Sequence, residues 1–356
     1  MIGLTKRTLW ILTDYSPIND FSDVYWRECF LKSKDFQEYN VRIIDGQYIS
    51  HESYLYTDLS FKHKQMKSVL DLFANNEVKR GDVFIFANAW NFVAIPLSFF
   101  REEYRIDFKM VGFWGNSIFN KLSPLTNRLK DKNSGGYNFE MSLFKTYDLN
   151  CFLCEEHHQM FSRRHQSVKD KGIVTGYPFG YLKEKVQQGT KENIIFNPWP
   201  IKDEIQSRVW KSIKADHHLN YSFLDTYSHK FQYKDREKYT ELFKVAKFMF
   251  SAKEIEHDPV FIYEAMLHGV VPFLQKRHLY QIFFHEDYLI PKINIVKRNN
   301  MISLMRHRME MLNFFMDRIS NYESWKERVI KDAEKMGKKY YSNDKFLIEI
   351  NKLLNE

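Results

Sequence analysis

Cysteine is scarce in this sequence: Cys29, Cys151 and Cys154 are the only three in 356 residues. Three thiols cannot build a disulfide framework of the kind that holds small secreted domains together, so a reducing, cytoplasmic setting is expected. Long apolar runs are missing as well. After Lys6-Arg7 the run Leu9–Leu12 is shorter than a signal-peptide core, and "FVAIPLSFF" is too short to span a bilayer, so neither secretion nor a transmembrane segment is expected. A second pair of metal-ligand residues is also lacking. In "CFLCEEHH", Cys151, Cys154, His157 and His158 have no partner pair at ligand spacing, and Cys151 reads as a buried strand residue, so no metal is expected. No internal repeat or low-complexity tract is evident.

What is present fits a globular chain of two domains, at roughly 100–200 residues per domain. Hydrophobic residues make up 44%, with 31 Phe and 21 Tyr. Lysine and arginine exceed the acidic residues by 53 − 45 = 8, with basic clusters at Lys62–Lys67, Arg163–Lys171 and Arg306–Arg308. Such clusters suit a polyanionic partner such as DNA, and equally a merely solvated helix face.

Short β-rich runs alternate with amphipathic segments along the chain. In the first half, Thr8–Thr13, Tyr39–Asp45, Asp82–Asn88, "DFKMVGFWG" and Asn150–Cys154 read as strands, with helices near Asp23–Lys34 and Phe61–Asn75. The polar stretch Gln187–Asn193 has the character of a linker. Beyond it, Asn193–Pro200, His218–Leu224, Ala246–Ala252 and Val270–Leu274 restart the pattern, and helices near Ser303–Ile319 and Tyr322–Lys338 precede the last segment. Repeated βα units argue for parallel sheets covered on both faces. The expected architecture is α/β: a Rossmann-like domain at 1–186, a second at 187–335 and a helical tail at 336–356, the two domains facing each other across a cleft.

The segment "EIEHDPVFIYEAMLHG" (Glu254–Gly269) carries the densest local signals. Asp258 suits an N-cap, Pro259 suits the first helical position, and Gly269 suits the residue after a helix ending at His268. Glu256 then lies in the loop after a strand, and Glu264 inside the helix. The first-turn amides of Val260 and Phe261, at the positive end of the helix dipole, suit a phosphate, and ionised carboxylates flanking them suit sugar hydroxyls.

Two glutamates eight positions apart, followed by Ala-Met-x-x-Gly and an apolar strand, resemble the nucleotide-sugar motif (E-x7-E) of the GT-B glycosyltransferases, above all their large retaining group. The frame Tyr239–Phe284 is similar to that motif in glycosyltransferases of large bacteriophages, and "GDVFIFANAWN", "GFWGNSIFN" and "FEMSLFKTYDLNCFLCEEHHQMF" fall in the order expected of that group. The resemblance implies that Glu256 contacts the donor sugar and Glu264 the nucleotide ribose, with a nucleotide-sugar such as a UDP-sugar as substrate and no cofactor. Where the group usually has Phe-Gly after the first glutamate, this chain has Asp258-Pro259 in that region. The cations usual near "FNPWPIKDEIQ" reduce to Lys202, with Lys253 and Arg277 as substitutes for neutralising the leaving diphosphate.

Asn88, Trp90, Trp114, Gly115, Asn116 and Asn120 follow strand ends of the first domain and are the candidates for holding an acceptor. A retaining enzyme of this type needs no strong base, because the departing phosphate oxygen takes the acceptor proton; an inverting one would, and Asp14 and Asp20 in "TDYSPIND" are then the candidates. The leading expectation is a cytoplasmic enzyme, in the host cytoplasm if phage-encoded, that glycosylates a hydroxymethylated pyrimidine in phage DNA. The alternatives are a transferase for a surface or lipid-linked saccharide, and a catalytically degenerate GT-B protein that binds nucleic acid.

Overall fold

The computed structural model describes residues 6–14, 22–46, 54–115, 135–163, 172–198, 210–211, 214, 220–226, 236–251, 259–276, 278–290, 310 and 313–355. The chain forms two compact units: Met1–Tyr181 with Lys338–Glu356, and Leu182–Gly337. The division falls at Tyr181/Leu182 rather than in Gln187–Asn193, and strand β7 (Glu192–Asn197) already starts inside that stretch.

In the first unit, β1 (Thr8–Leu12), β2 (Asn40–Ile44), β3 (Val83–Phe86), β4 (Lys109–Trp114), β5 (Leu149–Phe152) and β6 (Gly172–Val174) form one sheet in the order β2-β1-β3-β4-β5-β6. Every pairing is parallel. β1, β3 and β5 are buried at every position, the continuous apolar pattern of a sheet covered on both faces. One face packs Trp10, Leu12, Phe84, Phe86, Met110, Trp114 and Phe152 against helices α2 (Tyr54–Ala74), α3 (Ala94–Glu103), α4 (Gly135–Thr146) and α5 (Glu155–Ser162). On the other face, Trp26 of α1 (Ser22–Lys32) lies 4.6 Å from Phe113, ring centre to ring centre. The C-terminal segment joins this face, because Phe346 packs 5.0 Å from the same Phe113. The helical segment at the end of the chain thus contributes to the first unit's core.

The second unit holds β7, β8 (Ser222–Asp225), β9 (Ala246–Ser251), β10 (Val271–Gln275) and β11 (Leu289–Ile290) in the order β11-β10-β9-β7-β8, again all parallel. Phe248 stacks on Phe273 within the sheet, and Phe243 and Phe261 pack edge to face, tying the helix Arg236–Val245 (α7, after the short α6 at Tyr181–Glu184) to α8 (Val260–Leu267). Further helices of this unit are α9 (His278–Phe283) and most of α10 (Tyr322–Tyr340), with residues 313–320 also helical, while α11 (Asn343–Asn355) belongs to the first unit.

The two sheets share one plan. In each, the first strand lies between the second and the third, so the winding reverses between β1 and β3 in one unit and between β7 and β9 in the other. In doubly wound sheets, ligands bind outside the carboxyl ends of the strands at this reversal.

Candidate active site

In the second unit, β9 ends at Ser251 beside the reversal, and the chain is described again from Pro259. Glu256, Asp258 and Lys253 fall between the two and lie outside the described residues, as do Lys202, Arg277, Asp20, Asn116 and Asn120. Pro259 stands one position earlier relative to the helix than expected: it is the N-cap residue, and Val260 opens α8. Its carbonyl accepts the first helical hydrogen bond, from the Tyr263 amide at 2.9 Å. The other end follows the glycine signal. Gly269 has φ +78°, its amide donates to Met266, and the Val270 amide reaches back to Ala265 at 3.0 Å, the paired bonds of a left-handed helix stop.

All eight residues of α8 are buried, Val260 and Phe261 in the first turn included. A helix apolar on every side belongs in a core, and a carboxylate there is costly unless it is paired. Glu264 has a side-chain exposure of only 4%, and its partner is Arg236, the first residue of α7. Nη1 donates to Oε2 and Nη2 to Oε1, both at 2.6 Å, a fork-on-fork ion pair. Sequence reading found the glutamate and missed the arginine, because residues 28 apart on two different helices leave no local signature. Around the carboxyl ends of β7 and β8, Trp210 and Lys214 donate to Asp225, and Tyr239 donates to Thr226.

In the first unit the reversal brings Asp14 and Asn88 together. Asp14 follows β1 and Asn88 follows β3; the Asn88 amide nitrogen donates to Asp14 at 2.9 Å, and its oxygen accepts from the Trp90 backbone amide at 2.9 Å. Both side chains are partly exposed. The loop is anchored from behind. Gln65 of α2, fully buried, donates to the carbonyls of Thr13 and Ile44 at the ends of β1 and β2, and accepts from Asn91. The Trp90 indole donates to the buried Glu140 at 2.6 Å. Neither Gln65 nor Glu140 was legible as a supporting residue; the one available signal was a polar side chain on the apolar stripe of a helix.

Several expectations need correction. Trp114 does not face outward to hold an acceptor: it is 2% exposed, its indole donates to Asn150 at 2.8 Å, and it belongs to the aromatic core. Trp90's indole nitrogen is committed to Glu140, so its contribution to a ligand would come from the ring. Gly115 is half-buried, and a Cβ there would meet the Tyr177 hydroxyl at 2.7 Å. Lys62 is no part of a solvated basic face, since it is 5% exposed and bonds Asp58 and the Trp90 carbonyl. Within that cluster, Lys64 and Lys67 remain exposed. Of the second cluster, Arg163 is exposed and residues 164–171 lie outside the described residues, as do Arg306–Arg308. The Cys151 and Cys154 thiols are buried, and burial pushes both up to about 12, so neither is a ready thiolate.

No family model matches this sequence, and no curated protein matches it. Solved structures do. Sucrose-phosphate synthase from Thermosynechococcus elongatus is similar with a TM-score of 0.56 at 10% identity, over 98% of this chain and 98% of that one. UDP-GlcNAc 2-epimerase from Neisseria meningitidis, solved with UDP-GlcNAc, gives 0.54 at 12% identity over 98% and 100%. The pneumococcal O-GlcNAc transferase GtfA, solved with UDP and GlcNAc, gives 0.50 at 11% identity over 83% of this chain, which spans only 60% of GtfA. At these identities the likeness is one of fold: two parallel sheets with alternating helices, the α/β architecture of the GT-B glycosyltransferases.

Proposed function

We propose that the protein is a nucleotide-sugar-dependent glycosyltransferase whose donor is held by the second unit and whose acceptor hydroxyl is received by the first. The observation that carries this reading is Glu264, a charged residue kept inside an otherwise apolar buried helix that follows β9, a strand flanking the sheet reversal. A core position with no role toward a ligand would be better filled by an apolar residue, since a buried ion pair rarely outperforms a hydrophobic replacement in stability. Glu264 would then take the donor ribose, and Glu256 the sugar, in the manner of the E-x7-E motif. Asp14, oriented by Asn88, is the acceptor-side carboxylate.

For a retaining transfer the leaving phosphate oxygen accepts the acceptor's proton, and Asp14 orients the hydroxyl; for an inverting one Asp14 takes the proton itself. The acceptor we favour is a hydroxymethylated pyrimidine in phage DNA, on the likeness of Tyr239–Phe284 to phage glycosyltransferases and the basic excess of the chain. A saccharide acceptor is the second reading. The burial of Lys62 thins one basic cluster, and α3 exposes Phe99 to 59%, an apolar surface unsuited to a DNA backbone.

Incubation with a panel of nucleotide-sugars and with hydroxymethylcytosine, hydroxymethyluracil or unmodified DNA, followed by digestion and mass spectrometry, tests both parts. A nucleoside heavier by one glycosyl residue is expected from modified DNA alone. Transfer only to saccharides would replace the acceptor. Interconversion of the nucleotide-sugar without transfer to anything would replace the reaction with an epimerisation.

A further inference from the structure

Trp90 is fixed more firmly than its partial burial explains. Its backbone amide donates to the Asn88 side-chain oxygen at 2.9 Å, its carbonyl accepts from Lys62 at 2.8 Å, and its indole donates to Glu140 at 2.6 Å. Two of these braces are buried charged side chains from different helices: Lys62 of α2, which also pairs with Asp58, and Glu140 of α4. Charges taken out of water are costly, and apolar residues of similar size usually hold a core as well or better. Trp10 and Trp114, whose indoles are bound by Asp82 and Asn150, are themselves buried. Trp90 is held on both sides of its backbone and at its indole, yet is only half-buried, against Phe139. Asn88 ties it to the acceptor side. The same amide that accepts from Trp90 donates to Asp14 at 2.9 Å, so one side chain fixes the tryptophan and the carboxylate relative to each other.

We propose that Trp90 is the stacking platform of the acceptor site: the pyrimidine that carries the acceptor hydroxyl lies flat on the indole and presents that hydroxyl to Asp14, and Lys62 and Glu140 are positioning residues that hold the platform. This rests on the reading of the first unit as the acceptor side and of a pyrimidine as the acceptor. A base offers its π face to any aromatic ring, and an indole already locked through its nitrogen gives up little rotamer freedom when the base arrives. Stacking needs an open base face, so the target base has to leave its duplex or come from a single strand. Single-stranded DNA is therefore the better acceptor, and duplex DNA carries the cost of unpairing.

The test uses oligonucleotides with one hydroxymethylcytosine, single-stranded and duplex, and protein labelled with fluorotryptophan, whose Trp90 fluorine resonance is assigned by its absence from Trp90→Phe. That resonance should move on titration with the single strand, a readout that needs binding and not turnover. In transfer assays with a nucleotide-sugar donor, Trp90→Leu should raise the acceptor KM about 10- to 100-fold with donor affinity unchanged. Glu140→Leu and Lys62→Met should raise it several-fold and split or broaden the Trp90 resonance, whereas Glu140→Gln, whose amide oxygen still accepts from the indole, should behave as wild type. A normal acceptor KM in Trp90→Leu would overturn the proposal and leave the transfer reaction standing. An unmoved Trp90 resonance at oligonucleotide concentrations that support transfer would overturn it as well, whether or not the Leu variant folds. A Trp90-dependent KM seen with saccharide acceptors alone would overturn the assignment of a base. With neither transfer nor a shift for any oligonucleotide, the proposal falls together with the DNA acceptor.

Discussion

The two units solve the same topological problem with different chemistry. Each reverses its winding between a first and a third strand, and each carries a carboxylate in the segment that follows a strand flanking that reversal. In the first unit the carboxylate is Asp14, partly exposed and held by the neutral amide of Asn88. In the second it is Glu264, buried in an apolar helix and held by a full positive charge. A hydrogen bond to a charged group contributes about 1.5–3 kcal/mol at most and less at a wet edge, while breaking a buried ion pair by removing one partner costs about 3–5 kcal/mol. The difference separates a partly exposed carboxylate at a strand end from one sealed inside a helix and matched by an arginine.

The comparison is broken most directly by removing each carboxylate. Glu264→Ala should cost about 3–5 kcal/mol in urea unfolding, because the nearly buried Arg236 loses its bidentate carboxylate, whereas replacing both Arg236 and Glu264 by Met should restore most of that loss. A negligible cost for Glu264→Ala would mean that the pair is not buried in solution.

The units should also titrate in different pH windows. Burial holds His157 of the first unit down at about 4, and burial together with the charge of Lys326 holds Lys191 of the second down at about 7. Both groups are more readily protonated when unfolded, so each makes stability fall as pH falls, between about 6.5 and 4 for His157 and between about 10.5 and 7 for Lys191. Each contributes a slope of at most about 1.4 kcal/mol per pH unit. His157→Phe should flatten only the acid window and Lys191→Met only the alkaline one, as followed by urea midpoints across pH. Lys62, the buried lysine of the first unit, has Asp58 at 2.9 Å, an ion pair that Lys191 lacks among the described residues.

Smaller effects sharpen the contrast. Asp14→Asn should cost about 1 kcal/mol or less in stability, having lost one partly exposed charge-assisted bond, yet raise KM for the acceptor while leaving donor affinity unchanged. Gly269→Ala should cost about 1 kcal/mol in unfolding, since φ +78° strains any residue with a Cβ. No change there would indicate that the end of α8 relaxes without loss.

Much of the fold was legible because its signals are local. The apolar runs around β1, β3 and β9 and the proline–glycine punctuation of α8 each lie within a few residues, and the expected elements fall within a few positions of the observed ones. The site was legible only in part. Glu264 and Asp14 carry sequence signals, but their partners Arg236 and Asn88 are 28 and 74 residues away, and only the strand order brings them together. Trp114 was misread because a tryptophan at a strand end has the same local pattern whether its indole meets a ligand or, as here, the buried Asn150.

The central claim is that the donor is held through Glu264 by the second unit, and the affinity of a nucleotide-sugar for the folded Glu264→Gln protein tests it most directly. The amide oxygen can still accept from Arg236, so the helix is retained while the charged acceptor is lost. Calorimetry should show donor affinity reduced about 10- to 100-fold, the equivalent of about 1.5–3 kcal/mol, with Asp14→Asn unchanged in the same assay. Wild-type affinity in Glu264→Gln, or an equal loss in Asp14→Asn, would contradict it.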